Sequence, residues 1–239
     1  MTKKFITFGA NNQMYIDAGN RLVAQAASLE LFDTCTLFTD ADLKADPEFW
    51  PKHSEFIEKH PRGYGYWIWK PYLIKKTMDS LQDGDIVLYL DSAVELDSRK
   101  KDKMIELFTV VSKDLIIGSL APHRTFTDIN WTKRDLLVYM GMDANPAIHT
   151  QQYQGGTNMF YVCEKTRSLV NEWYTIACNY HLIDDSKSVL PNYPCFKENR
   201  HDQSIFSLLC KKQGIMSNVK ILHAIDMLRT LSGVSKLKK

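Results

Sequence analysis

The chain has 239 residues, of which 44% are hydrophobic and 24% are charged, and its formal net charge is +2. This length suits one large α/β domain, and the composition is that of an ordinary soluble globular protein. A net charge this small gives no indication of a nucleic-acid partner.

The five cysteines form no CxxC pair. A disulfide framework or a structural zinc site is therefore not expected. The N-terminus lacks the apolar region of a signal peptide, and no apolar run is long enough to span a bilayer. We expect a cytoplasmic protein without stable membrane insertion.

The sequence opens with a predicted βαβ unit. Lys3–Phe8 is rich in β-branched and aromatic residues, which predicts a strand. Apolar residues at helical spacing predict a helix over 14–29, and a second strand is predicted over 34–39. This order predicts a parallel sheet with ligands at the carboxyl ends of its strands. A dinucleotide fold is disfavoured, because no G-x-G-x-x-G turn follows the first strand.

The middle of the chain holds two unusual blocks. Short helices are predicted over 47–60, and the stretch RGYGYWIWKPYLI follows at 62–74. Pro71 suits the first turn of a helix, which places Lys70 at that helix's N-terminus. The block DGDIVLYLD then predicts an Asp-Gly turn and a buried strand, Ile86–Leu90, that ends at Asp91.

The rest of the chain continues to alternate strands and helices. We predict a helix at 98–112, a strand at 115–118, an irregular segment at 123–132, a strand opened by Gly155 and Gly156, a helix at 164–179, a loop at 190–200, a short helix at 201–212 and a last strand at 219–223. With no internal repeat, this alternation predicts one α/β domain with a central mixed, mostly parallel sheet flanked by helices.

Two acidic residues and a histidine are candidates for chemistry. Asp91 ends a buried strand, where its carboxylate is poorly solvated unless it pairs or binds a cation such as Mg²⁺ or Mn²⁺. Its structural alternative is to cap the following turn. Asp202 is either a helix N-cap or a carboxylate facing a substrate hydroxyl. His223 closes the last predicted strand as a further metal ligand or as a structural residue.

Glycines and aromatic residues add two further candidates. Gly155 and Gly156 allow close approach of the backbone to a ligand, or they mark a bulge or tight turn. The rings of the 62–74 block either stack on a base or sugar or belong to the core; they are Tyr64, Tyr66, Trp67 and Trp69.

Taken in order, the blocks FITFG, YGYWIWKPYLI, DGDIVLYLDSAVEL, YQGGTNMFYV, HDQSIF and ILH resemble a GT-A-fold nucleotide-sugar glycosyltransferase of the small type found in bacterial and viral surface-polysaccharide gene sets. The resemblance implies a single Rossmann-like GT-A domain over 1–239, with a nucleotide-sugar-binding half at 1–120 and an acceptor-side half at 121–239. It implies transfer of a sugar from a nucleoside diphosphate, expected to be UDP, to a glycan or other hydroxyl acceptor, as in polysaccharide biosynthesis.

The D-x-D motif of that family falls on Asp91-Ser92-Ala93, where the second Asp is missing. Asp85 lies at the other end of the strand and is not a substitute. The resemblance implies that Asp91 and His223 hold Mn²⁺ or Mg²⁺ against the donor diphosphate, unless the enzyme works without metal.

The same resemblance implies roles for the remaining candidates. Donor contacts are expected from Thr7, Phe8, Gly9, Tyr15, Lys70, Asp91, Ser92 and Ala93. Sugar and acceptor contacts are expected from Tyr66, Trp67, Gly155, Gly156 and Gln203. Asp202 and Asp91 are the expected catalytic carboxylates, and Lys70 is expected to neutralise phosphate charge.

Two alternatives remain open. A sugar-phosphate nucleotidyltransferase shares an α/β nucleotide fold, but normally carries a glycine-rich, basic phosphate loop that FGANNQMY lacks. A catalytically inactive nucleotide- or glycan-binding module would explain the incomplete D-x-D motif.

Overall fold

The computed structural model describes residues 1–217, 225–226, 233–234 and 236. The strands are Lys3–Phe8 (β1), Thr34–Phe38 (β2), Ile86–Leu90 (β3), Glu95–Leu96 (β4), Ile116–Leu120 (β5), Tyr153–Tyr161 (β6), Met216–Ser217 (β7) and Ile225–Asp226 (β8). The helices are Gln13–Ser28 (α1), Asp40–Lys44 (α2), Trp50–Lys59 (α3), Gly63–Tyr66 (α4), Trp69–Asp79 (α5), Lys101–Asp114 (α6), Asp128–Trp131 (α7), Arg134–Tyr139 (α8), Glu164–Ala177 (α9), Tyr180–Ile183 (α10) and Asp202–Gln213 (α11), with 3₁₀ turns at Ser98–Lys100 and Pro146–His149.

The main sheet is mixed. Its described strands run in the order β2-β1-β3-β6-β5-β7. β1 pairs in parallel with β2 and β3, and β5 pairs in parallel with β7, whereas β6 is antiparallel to both β3 and β5. The predicted α/β domain, with a mixed, mostly parallel sheet flanked by helices, is confirmed. β4 and β8 form a separate antiparallel pair, in which Leu96 lies opposite Ile225.

Most predicted elements lie close to the observed ones. β1 and β3 have the predicted bounds. Helix α5 begins at Trp69, ahead of the predicted start at Pro71, so Lys70 lies in its first turn. The segment predicted to be irregular contains α7, and α8 was not predicted. The predicted last strand, with His223, lies outside the described residues.

The sheet is covered on both faces, with a hydrophobic core on each side. All five residues of β3 are buried. They alternate between two cores, with Val87 and Tyr89 on one face and Ile86, Leu88 and Leu90 on the other. Burying each aliphatic side chain contributes about 1.5–3 kcal/mol, so this strand holds Asp91 firmly at its end.

In the described part of the chain, no helix combines the length and apolar character needed to cross a bilayer.

The segment Gly63–Trp67 is a turn of left-handed backbone. Its five consecutive φ angles are 59°, 54°, 79°, 52° and 62°. This conformation costs a residue with a Cβ about 1–2 kcal/mol, so packing must hold the turn in place. Trp69 Nε1 donates to the carbonyl oxygen of Gly63 at 3.0 Å, and Tyr66 stacks on His201 with ring centroids 4.9 Å apart. Backbone strain of this kind concentrates at functional sites.

We expect Gly65→Ala to lower the free energy of unfolding by about 2–4 kcal/mol, because a backbone penalty adds to steric overpacking. At Gly65, φ is +79° and an added Cβ would lie 2.6 Å from Cγ1 of Ile57. Gly141→Ala is the matched control, since φ there is +68° but nothing lies within 4 Å of an added Cβ. The control should lose about 1 kcal/mol. Urea unfolding measures both, and equal losses would contradict the steric argument.

Candidate functional site

A cleft of about 1000 Å³ opens beyond the carboxyl ends of β1 and β3. This is the edge of an α/β sheet at which ligands bind, and the volume suits a molecule the size of a nucleotide sugar. The described cleft wall consists of Phe8, Ala10, Asn11, Asn12, Tyr15, Pro61, Gly63, Tyr64, Trp67, Trp69, Tyr89, Asp91, Ser92, Ala93, Val94, Ala121, Pro122, Phe126, Gln154, Gly156, Thr157, Arg200, Gln203 and Lys236.

Three charged side chains from distant parts of the chain meet beneath the cleft, and Asp91 is the one of the three that lines its wall. Lys70 Nζ, from the first turn of α5, lies 3.0 Å from Asp202 Oδ2 and 3.4 Å from Asp91 Oδ1. The exposed fraction is 4% for the Lys70 side chain, 5% for Asp202 and 43% for Asp91. The buried cation therefore joins an enclosed carboxylate to one that is open to the cleft.

Burial and neighbouring charges shift the pKa values of Asp202, Lys70 and Tyr89. Burial raises the pKa of Asp202 to about 6, although Lys70 opposes the rise. Burial lowers the pKa of Lys70, but the two carboxylates together raise it above its ordinary value. Asp91 Oδ1 also accepts from the Tyr89 hydroxyl at 2.7 Å, and burial, followed by Asp91, raises the pKa of Tyr89. With both carboxylates ionised, one cation faces two anions, so the cluster has a net negative charge.

The two glycines of β6 make room for the two carboxylates. A Cβ added at Gly156 would lie 2.2 Å from Asp91 Oδ2, and one added at Gly155 would lie 3.0 Å from Asp202 Oδ2. The main-chain N–H of Asp91 donates to the carbonyl oxygen of Gly156 at 2.8 Å. The sequence left open close approach of a ligand and a bulge or tight turn, and the β5–β6 register does shift between the Gly118–Asn158 and Leu120–Tyr153 pairs, which bracket both glycines. Approach of a ligand stays a prediction, but side chains do come close to both glycines. The groups that approach are carboxylates of the protein itself.

Asp202 does not cap α11, because the N-cap position is His201 and no side-chain cap hydrogen bond is present there. The carbonyl oxygen of Asp202 accepts from Trp173 Nε1 at 2.9 Å. His201 has φ 54° and is buried. Packing and main-chain hydrogen bonds, such as the one from the N–H of Gln203 to the carbonyl oxygen of Arg200 at 3.0 Å, hold the start of α11. The Asp202 carboxylate there lies against Lys70.

The turn after Asp91 is held from below by Arg21, a residue that the sequence analysis did not select. Its guanidinium donates to the carbonyl oxygens of Ser92 and Val94, each at 2.8 Å. Arg21 also lies 3.9 Å from the buried carboxylate of Glu95. Arg21 occurs next to the apolar residues that predicted α1, and no local signal distinguishes it from a solvent-facing arginine.

Aromatic residues form much of the wall near the end of β1. Phe8 stacks on Trp69 with ring centroids 3.8 Å apart. Trp67 and Tyr64 line the cleft, and Tyr15 does so with 42% of its surface exposed. The 62–74 block therefore supplies rings both to the cleft wall and to the core, and stacking of these rings on a base or sugar stays a prediction.

Three solved structures are similar to this chain in overall path. One is the apo form of mouse xyloside xylosyltransferase 1, with 11% identity, a TM-score of 0.47, and 92% of this chain and 85% of that chain covered. Another is a glycosyltransferase involved in glycosylation of the major capsid of PBCV-1, with 11% identity, a TM-score of 0.41, and 74% and 66% covered. The third is the galactosyltransferase LgtC in complex with donor and acceptor sugar analogues, with 14% identity, a TM-score of 0.46, and 86% and 70% covered.

No family profile matches the sequence, and a comparison with curated proteins found no match.

The structure places the other predicted donor residues in two groups. Phe8, Tyr15, Asp91, Ser92 and Ala93 lie on the cleft wall. Thr7 and Gly9 are buried and are not wall residues. A Cβ at Gly9 would lie 2.5 Å from the carbonyl oxygen of Tyr15, so this glycine lets the end of β1 pack against the start of α1.

The predicted acceptor residues also include some that line the cleft and some that do not. Trp67, Gly156 and Gln203 line the cleft. Tyr66 does not, because its ring packs in the core against Phe56 and His201. Gln203 Nε2 donates to Gln152 Oε1 at 2.9 Å, which fixes its amide beside the carboxylate cluster.

The carboxylate of Asp91 is compatible with a cation that also binds the phosphate oxygens of a ligand. Among the described residues, no group of three His, Cys, Asp or Glu side chains is placed to hold a metal by itself. A single open carboxylate is nevertheless compatible with Mg²⁺ or Mn²⁺, because such ions bind through one or two carboxylates plus substrate phosphates. His223, the predicted second ligand, lies outside the described residues.

Proposed function

We propose that this protein is a glycosyltransferase, which moves a sugar from a nucleoside diphosphate, expected to be UDP, to a hydroxyl of a glycan or other acceptor. The observation that carries the proposal is the cluster of Lys70, Asp91 and Asp202, which presents Asp91 to a cleft walled by aromatic rings. Stacked rings suit a base or a sugar face, and the two carboxylates suit a diphosphate-bound cation and an acceptor hydroxyl.

Asp91 is proposed to serve the leaving diphosphate. Its open side chain would bind Mn²⁺ or Mg²⁺, and the ion would supply charge stabilisation to the phosphate oxygens when bound. Arg21 holds the turn Asp91–Val94 through two carbonyl oxygens. Asp91 therefore needs little reorganisation before it binds a ligand.

Asp202 is proposed to accept the proton of the acceptor hydroxyl. In the transfer, the acceptor oxygen forms a bond to the anomeric carbon of the sugar, the bond from that carbon to the phosphate oxygen breaks, and the nucleoside diphosphate leaves. A pKa of about 6 keeps Asp202 mostly ionised at neutral pH and near the optimum for a general base.

Lys70 is proposed to position these two carboxylates, in place of the direct phosphate contact expected from the sequence. Its Nζ is enclosed, with contacts to both carboxylates, and the Lys70 side chain is only 4% exposed. A cation in that place keeps Asp202 ionised and limits the repulsion between the two anions.

A thermal-shift screen of nucleotide sugars, with and without Mn²⁺, followed by an assay of nucleoside-diphosphate release, tests this function. We expect one nucleotide sugar to stabilise the protein and to be consumed when a hydroxyl acceptor is present. Pyrophosphate release from a nucleoside triphosphate and a sugar phosphate would instead identify a nucleotidyltransferase. Donor binding without release under any acceptor or metal condition would identify an inactive binding module.

We expect Gly156→Ala to fold normally but to lose about 10²-fold in transfer rate, since misplacing a catalytic group by about 1 Å has that effect. The added Cβ would lie 2.2 Å from Asp91 Oδ2 and would push the side chain aside. Single-turnover kinetics measures the loss, and urea unfolding checks the fold. A wild-type transfer rate in the Gly156→Ala variant would show that transfer does not depend on the observed position of the Asp91 side chain.

A further inference from the structure

The end of the cleft near β5 carries an arginine on an aromatic platform. The rings of Phe126 and Trp131 have centroids 4.7 Å apart. The guanidinium carbon of Arg200 lies 4.4 Å from the Trp131 centroid and 5.1 Å from the Phe126 centroid. Both Arg200 and Phe126 line the cleft. A guanidinium stacked on rings in this way is held in one plane, and its N–H donors lie along the edges of that plane.

Main-chain hydrogen bonds hold this platform together. The N–H of Arg200 donates to the carbonyl oxygen of Trp131 at 3.1 Å and to Ser204 Oγ at 3.2 Å. The N–H of Gln203 donates to the carbonyl oxygen of Arg200 at 3.0 Å. The main chain of Arg200 is therefore fixed relative to Trp131 and to the start of α11, where Asp202 lies.

The platform is separated from the expected nucleotide end of the cleft. Residues after β1 and β3 form that end, whereas Phe126 is joined to the start of β6 through the N–H of Gln152, which donates to the Phe126 carbonyl oxygen at 2.8 Å. In the sheet, β3 and β6 lie between β1 and β5. An anion bound at Arg200 would therefore lie toward the β5 end of the cleft, away from the expected nucleoside at the end of β1.

We infer that this end of the cleft binds an acceptor that carries an anionic group, a carboxylate or a phosphate, and that Arg200 recognises this group. The inference rests on the proposed function and names its acceptor class. A planar guanidinium matches both oxygens of a carboxylate or phosphate. Gln154 and Gln203 also line the cleft. Each amide nitrogen donates one hydrogen bond within the protein, and its second N–H suits a hydroxyl of the same sugar.

Ligand-observed NMR, with UDP present, tests this inference by comparing matched acidic and neutral probes. The pairs are methyl glucuronoside with methyl glucoside, and glucose 6-phosphate with glucose, which separate the carboxylate from the phosphate. We expect the acidic member of at least one pair to bind about tenfold or more tightly, since a hydrogen bond to a charged group contributes roughly that factor. Arg200→Gln should remove the preference, and Arg200→Lys should restore only part of it.

Arg124→Gln is the control, because Arg124 is exposed and is not a residue of the cleft wall. It should keep the full preference. Equal binding of acidic and neutral probes by the wild-type protein would overturn the inference. So would a loss of UDP affinity in Arg200→Gln with probe binding unchanged, because Arg200 would then serve the donor phosphates. Failure of the proposed function is distinguishable, since it would show as absence of UDP-sugar binding and consumption in the wild-type protein.

Discussion

Asp202→Asn is expected to abolish glycosyl transfer while leaving the fold and UDP binding intact. An amide cannot accept the acceptor proton, and loss of a general base typically costs about 10²–10⁴-fold in rate. The assay is nucleoside-diphosphate release at saturating donor, with UDP binding by calorimetry as the check on the site. In the wild-type protein, kcat/KM should fall on the acid side with an apparent pKa near 6, the value to which burial raises the pKa of Asp202. Full activity of the variant would leave Asp202 with a structural role alone.

The same substitution is expected to stabilise the protein at neutral and higher pH. Burial raises the pKa of Asp202 from 3.8 to about 6, so the folded state binds this proton more tightly than the unfolded state. Stability is therefore greatest while Asp202 is protonated and falls as pH rises from about 4 through about 6. A shift of about two units corresponds to roughly 3 kcal/mol. Asn is neutral at every pH, so its advantage should be larger at pH 8 than at pH 5.

Urea unfolding of both proteins at the two pH values measures this difference. A variant that is less stable than the wild type by the same amount at pH 5 and pH 8 would contradict the raised pKa. The outcome matters for the functional argument, because a carboxylate kept at a cost to stability is typical of a functional site.

Lys70→Met is expected to have the largest effect on stability, with a loss of about 3–5 kcal/mol. Met fills a similar volume but leaves Asp202 buried without its cation, which lies 3.0 Å away in the wild type. The pKa of Asp202 should rise further, so the loss should increase with pH. Transfer should also fall, because Asp202 would then be protonated at neutral pH.

A double-mutant cycle isolates the interaction between Lys70 and Asp202. We expect Lys70→Met combined with Asp202→Asn to be more stable than Lys70→Met alone, because the uncompensated charge is gone. Lys75→Met is the control on the same helix, since Lys75 pairs with Asp79 at an exposed site where an ion pair contributes about 0–1 kcal/mol. Additive effects of the two core substitutions would contradict the proposed coupling.

Several features of the site follow from local patterns in the sequence. The bounds of β1 and β3 agree with the predicted ones, because runs of β-branched and aromatic residues and an Asp-Gly turn are local signals. Asp91 was selected for its place at the end of a buried strand, and the structure puts it on the cleft wall. Asp202 was selected as well, but the local pattern left its role as a helix cap open.

Other features of the fold and the site have no local signal in the sequence. The left-handed turn Gly63–Trp67 contains three residues with a Cβ at positive φ, which propensity alone does not predict. Packing on His201, far along the chain, places Tyr66 in the core while Trp67 lines the cleft. Arg21 and Arg200 look like ordinary surface arginines in sequence, because their roles depend on carbonyl oxygens and rings from distant segments.

The sequence by itself determined the order of the main strands and helices, the α/β class, and the residue types offered at the ends of the strands, because hydrophobic periodicity and turn chemistry act over a few residues. Only the tertiary structure decided that Lys70 lies between Asp91 and Asp202, and that one glycine of β6 faces each carboxylate. These contacts join α5, the end of β3, β6 and α11. Their distances depend on how the whole sheet and its helices pack, which no short stretch of sequence specifies.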